Sequence, residues 1–132
     1  MRLILVSKGH ILMLKQTSEN GGKYTLIGGN VEEGEYPVEA LVRETMEEAG
    51  IKIKKVNIQL VHTLFKRKTY DNRIVLYFKV KSFEGEPISR EPKKFKKVAW
   101  FPLDELPRNM SVTVRHVLEQ FRQGKAYSEL EK

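Results

Sequence analysis

The sequence predicts an α+β fold in which a mixed β-sheet is held between helices. Two observations carry this reading. Apolar runs of strand length, rich in β-branched residues, stand on both sides of one helical stretch. A second helical stretch follows them, so the order is several strands, helix, several strands, helix. At 132 residues the chain is long enough for one hydrophobic core, and residues 1–132 are read as one domain.

Each element has its own justification. "RLILVS" (2–7) and "HILMLK" (10–15) flank Lys8-Gly9, which predicts a hairpin. The split at Lys8-Gly9 argues against a signal peptide, and neither run approaches the ~20 apolar residues of a membrane span. Thr17 to Lys23 is a turn cluster, and "YTLI" (24–27) is a short strand running into Gly28-Gly29. Pro37 suits the first position of a helix and Gly50 suits its end. Between them Val38, Leu41, Val42, Thr45 and Ala49 recur at helical spacing and form one buried face. Ile51 to Lys66 alternates as one or two strands, and Arg73 to Lys81 is the strongest strand pattern in the chain. Glu84 to Pro87 is a turn, and "KKVAWFPL" is a strand ending at Pro102. Ser111 to Gly124 reads as a helix with Val114, Val117, Leu118 and Phe121 on its apolar side.

Composition narrows the chemistry. There is no cysteine, which excludes disulfides, thiolate zinc sites and cysteine nucleophiles and fits a reducing, cytoplasmic setting. No two histidines have metal-ligand spacing; His62 reads as structural, and Trp100 and Phe101 read as core. The net charge of +7 points to an anionic partner. Two basic clusters, Lys66 to Lys68 and Lys93 to Lys97, read as solvated strand ends and loops. They form no single stripe and carry no nucleic-acid-binding signature, so no nucleic-acid partner and no membrane partner is expected.

Against this basic background, Val31 to Gly50 holds seven glutamates and one arginine, a charge of −6 that leaves +13 for the rest. Glu44, Glu47 and Glu48 sit at i, i+3 and i+4, so they share one helix face and repel one another. Three carboxylates on one turn suit a hard cation such as Mg²⁺, which takes oxygen ligands and keeps positions open for phosphates. Gly28-Gly29 lets the loop from Gly29 to Glu35 turn sharply and bring its backbone close to that face.

The pattern G-x5-E-x7-R-E-x2-E-E-x-G runs through Gly29, Glu35, Arg43, Glu44, Glu47, Glu48 and Gly50. It resembles the box of the Nudix (MutT-related) pyrophosphohydrolases. Thr45 stands where that box prefers an aliphatic residue, and Ile27 stands where many members have proline. The resemblance implies a Nudix-like α/β/α sandwich and hydrolysis of a nucleoside diphosphate linked to another moiety, with Mg²⁺ or Mn²⁺. It implies Glu44, Glu47, Glu48 and the Gly29 carbonyl as metal ligands, with Arg43 holding Glu35 and Glu44 activating the water. A late glutamate after the "EGEP" turn resembles a further ligand; Glu91 is the candidate, with Glu84 and Glu86 as rivals. Tyr24, Phe65, Tyr70 and Asn109 are candidates for contacting the nucleobase. The small size and the "EGEP" turn lean towards (d)NTP substrates of the MutT type. An ADP-ribose or dinucleoside polyphosphate hydrolase, a non-catalytic nucleotide sensor and a homodimer stay open.

Overall fold

A computed structural model describes residues 1–131. Its elements are β1 (Arg2–Ser7), β2 (His10–Gln16), β3 (Tyr24–Thr25), α1 (Pro37–Ala49), β4 (Gln59–Arg67), β5 (Asn72–Val80), β6 (Phe95–Pro102), α2 (Val112–Arg122) and β7 (Tyr127–Glu131). The expected hairpin is present. Ser7 faces His10, and Lys8 and Gly9 both adopt positive φ, the two-residue turn that matches strand twist.

The strands form one mixed sheet. β1 pairs antiparallel with β2 and parallel with β5; β4 pairs antiparallel with β5 and parallel with β7. β6 lies along one edge of β2, which leaves β1 and β3 at the two ends of its other edge. Successive side chains of a strand point to opposite faces, and both faces of β1 and β2 are covered. Leu3, Leu5, Leu12 and Leu14 pack with Leu41 and Ala49 of α1. Ile4, Ile11 and Met13 pack with Val114, Val117 and Leu118 of α2. This two-sided burial is why "RLILV" and "ILML" read as unbroken apolar runs. The result is the α/β/α sandwich.

Two segments depart from expectation. Within Ile51–Lys66 only Gln59 onward forms a full strand; Lys52 makes one bridge to Glu84, and residues 55–57 form a short 3₁₀ turn. Three lysines and one asparagine among residues 52–57 leave little apolar surface for a sheet to bury. β7 was not expected at all. Its five residues offer only Leu130 as an aliphatic, and its place is set by pairing with β4 and by contacts of Ser128.

Among the described residues no helix is long and apolar enough to cross a membrane.

Candidate active site

The site grows from the N-terminal ends of two segments that meet by backbone pairing. The Leu3 amide donates to the Ile27 carbonyl and the Gly29 amide to the Met1 carbonyl, so β1 fixes the start of the loop at residues 28–36. That loop ends where Tyr36 caps α1. The Glu39 carboxylate accepts the Tyr36 amide at 2.8 Å, satisfying a donor at the helix start. Leu41, Thr45 and Ala49 are buried against the sheet, which turns Glu44 and Glu47 towards the loop. Thr45, the departure from the usual pattern, is fully buried, and its hydroxyl donates to the Leu41 carbonyl at 2.7 Å. Its polarity is thus satisfied within the helix.

Arg43 is the hub. Its Nε and Nη2 donate to the two carboxylate oxygens of Glu35 at 3.1 and 2.7 Å, a bidentate pair across the loop. Nη1 donates to Glu44 at 2.9 Å and to Glu47 at 3.2 Å, and Nη2 also reaches the Asn30 carbonyl at 3.2 Å. Glu32 stands 3.4 Å from Nη1. The Arg43 hydrogen bonds hold the Glu35 carboxyl below its ordinary value. Thus Arg43 and Glu35 meet, as do Arg43 and two of the three helix carboxylates.

Glu48 is different in kind. It is only 4% exposed, and its carboxylate accepts the Gly28 amide at 3.1 Å. Burial pushes it up to about 8, with the neighbouring Glu44 carboxylate adding to the shift and the Gly28 amide opposing it. Gly29 lies close under Glu44: a Cβ there would stand 2.7 Å from the Glu44 carboxylate, which would have to shift from its place beside Arg43. The Gly29 carbonyl already attracts a cation, since the Met1 ammonium donates to it at 2.9 Å. At the far end of α1, Gly50 takes φ 68°, and a Cβ would stand 2.6 Å from Arg90 Cδ.

Glu91 joins this neighbourhood. It lines one depression with Met46, Glu47 and Arg90, and the Arg90 amide donates to the Glu48 carbonyl at 2.9 Å. Lys94 pairs with Glu91 at 3.3 Å; that bond raises the ammonium, and the fields of Glu48 and Glu44 add to it. Glu84 instead pairs through its backbone with Lys52. Among the described residues no three acidic or imidazole side chains converge into a closed ligand set. Arg43 holds Glu44 and Glu47, while Gly28 holds Glu48. The donors offered are nonetheless all oxygen, with a buried carboxyl disfavoured as a bare anion, which fits a hard divalent cation.

The four nucleobase candidates do not gather at one point. Tyr24 packs edge-to-face on Phe101 at 4.9 Å, and the Asn109 side-chain amide is committed to the Gly22 carbonyl at 2.7 Å. Phe65 is half-buried on β4, and Tyr70 is 98% exposed in the β4–β5 turn. Sequence reasoning missed Asn30 and Arg90, and it gave Gly28 only as a loop entry and Lys94 only as part of a basic cluster. Gly28 and Asn30 act through backbone atoms, and Arg90 and Lys94 arrive through space, so no local spacing marks them.

His62 is structural, as expected. It is fully buried; Nδ1 donates to the Lys125 carbonyl at 2.7 Å, so Nε2 accepts from the Ser128 hydroxyl at 2.7 Å. His116 Nε2 reaches the same hydroxyl at 2.9 Å.

Comparison with known proteins agrees with this geometry. Residues 2–121 match the family described as NUDIX domain. The NAD-capped RNA hydrolase NudC of Photorhabdus laumondii is 35% identical over 98 residues, covering 74% of this chain and 36% of that protein. NudC of Pectobacterium atrosepticum is 30% identical over 107 residues, covering 80% of this chain and 39% of that protein. The chain thus spans less than half the length of these curated relatives. Among solved structures, a MutT NUDIX hydrolase from Burkholderia pseudomallei has a TM-score of 0.79 at 31% identity, covering 90% of this chain and 93% of that one. A MutT protein from Bacillus halodurans has a TM-score of 0.82 at 22% identity, covering 98% and 86%, a likeness of fold. With the box, the sandwich and these likenesses on one chain, the protein belongs to the Nudix (MutT-related) hydrolase family.

Proposed function

We propose that residues 1–132 act as one domain that hydrolyses the pyrophosphate bond of a nucleotide with Mg²⁺ or Mn²⁺ in a cytoplasmic setting. The observation that carries this is the pairing of a buried Glu48 with Glu44, which lies against Gly29 and is held by Arg43. Glu44, Glu47, Glu48, the Gly29 carbonyl and Glu91 would hold the metal. When bound, it supplies charge neutralisation for the phosphates and a lower pKa for an attacking water.

The remaining work falls to the chain. Arg43 is a positioning residue: its bidentate grip on Glu35 fixes the loop, and its Nη1 orients Glu44 and Glu47. Glu44 takes the proton of the attacking water at its carboxylate. No serine, cysteine or histidine nucleophile is needed, because in-line displacement on phosphorus rests on positioning and charge.

The substrate lean is to (d)NTPs of the MutT type, supported by the "EGEP" turn and by the MutT likenesses. A second reading, a dinucleotide of the NAD type, is favoured by the NudC relatives. A hydrolysis panel of (d)NTPs, ADP-ribose, NAD and dinucleoside polyphosphates tests both, with Glu48→Gln as the blank. Turnover of one class, lost in the blank, supports the reading. Nucleotide binding without any turnover sinks it and leaves a sensor.

A further inference from the structure

The turn that carries Glu91 brings a cation with it. Residues 91–94 read Glu-Pro-Lys-Lys, with proline at the second position of a β-turn. The Lys94 and Phe95 amides both donate to the Glu91 carbonyl, at 2.9 and 2.8 Å, and the Ser89 hydroxyl donates to the Phe95 carbonyl at 2.6 Å. The turn is tied down on two sides. Before it, the Ile88 and Arg90 amides donate to the Ala49 and Glu48 carbonyls, the last two of α1. Behind it, the Thr17 amide donates to the Lys94 carbonyl at 2.9 Å. The backbone thus fixes Glu91 and Lys94 side by side, at the end of α1 that holds Glu47 and Glu48.

Every candidate ligand carboxylate has a donor on it, and the donors differ in how firmly they are held. Arg43 contacts Glu32, Glu35, Glu44 and Glu47, and its side chain is only 24% exposed. Glu48 is held by the Gly28 backbone amide, which the loop keeps in place. Lys94 meets Glu91 through one contact of 3.3 Å, and its side chain is 64% exposed on a flexible four-carbon stem. A lone exposed ion pair of this kind adds little to stability. Its place matters more than its strength. The fields of Glu48 and Glu44 reach the same ammonium, so it stands close to the acidic site. An ammonium and a hard divalent cation seek the same carboxylate oxygens, and of the donors in the site Lys94 is the one most easily displaced.

We propose that Lys94 is a positioning residue that acts through Glu91: its ammonium occupies that carboxylate in the metal-free protein and must give way before Glu91 can serve as a metal ligand. The inference rests on the metal-dependent reading above. The ion that uses Glu91 is therefore held more weakly than it would be beside a neutral side chain. Displacing an exposed ammonium from a carboxylate costs about two- to fivefold in affinity.

The test measures Mn²⁺ binding to the metal-free protein, without nucleotide, from the electron paramagnetic resonance signal of the free ion. It compares the intact chain with Lys94→Gln, Lys94→Arg, Glu91→Gln and the double variant Lys94→Gln/Glu91→Gln. Lys94→Gln is expected to bind Mn²⁺ about two- to fivefold more tightly. Lys94→Arg keeps the charge and should bind like the intact chain. In the Glu91→Gln background the gain should shrink or vanish, because the carboxylate in dispute is gone. Unchanged affinity in Lys94→Gln overturns the inference, even where its melting temperature shifts, since the pair is then structural only. A gain of the same size in the Glu91→Gln background overturns it too, because the lysine then acts by its field and not through Glu91. Both results leave the metal-dependent reading standing. Mn²⁺ bound by none of the five proteins defeats that reading and the inference with it.

Discussion

At the scale of single residues, the chemistry turns on which carboxylates are charged. Glu48 in the folded chain is raised to about 8 from an ordinary 4.5. A carboxyl raised by folding adds stability below about 4.5 and loses that contribution as pH climbs to about 8. The metal-free protein should therefore lose thermal stability across that window, and Glu48→Gln should flatten the loss; melting in a chelator across pH reads this out. Metal affinity should rise over the same range, because binding must displace the Glu48 proton. Glu47→Gln and Glu48→Gln should each lower turnover by orders of magnitude while keeping the wild-type circular dichroism. Gly29→Ala forces a methyl against the Glu44 carboxylate, and such a misplacement costs roughly 10²-fold in rate. Arg43→Lys cannot reproduce the bidentate bond to Glu35, so it should lower kcat by roughly 10 to 100-fold while leaving the fold intact. The box residues were legible in sequence because their chemistry depends on helical spacing. The Gly28 amide, the Asn30 carbonyl and Arg90 were not, since backbone groups and residues 40 or more positions away leave no periodic mark.

Among the elements, α1 and the two-faced strands were legible from apolar spacing, and the two miscast segments show the limit. Residues 52–57 alternate like a strand, but Lys52, Lys54 and Lys55 are exposed and only Ile53 is buried. β7 carries polar side chains, and its order comes from pairing with β4 and from a serine that two imidazoles share. Ser128→Ala removes that shared hydroxyl and leaves the buried His62 Nε2 unsatisfied, at a cost of about 1–3 kcal/mol. Urea unfolding midpoints measure it, and an unchanged midpoint would show that β7 is held by its backbone pairing alone. Gly50→Ala should cost about 1–2 kcal/mol from the left-handed conformation, and contact with Arg90 adds to it.

Over the whole molecule, opposite charges are segregated rather than mixed. The acidic residues gather in the loop and α1 between residues 31 and 50, while Lys15 and Lys97 face each other across β2 and β6. The pairing of β1 carries a further consequence. Its neighbours on the β5 edge are Tyr77 to Val80, some 75 positions later in the chain, while β2 is completed by β6 and β4 by β7 later still. On a ribosome this apolar hairpin emerges well before β5 and waits with open edges until residue 80 has been added. A nascent chain in that interval presents a sticky template for other chains, so its yield in the cell should depend on chaperone supply and on translation speed.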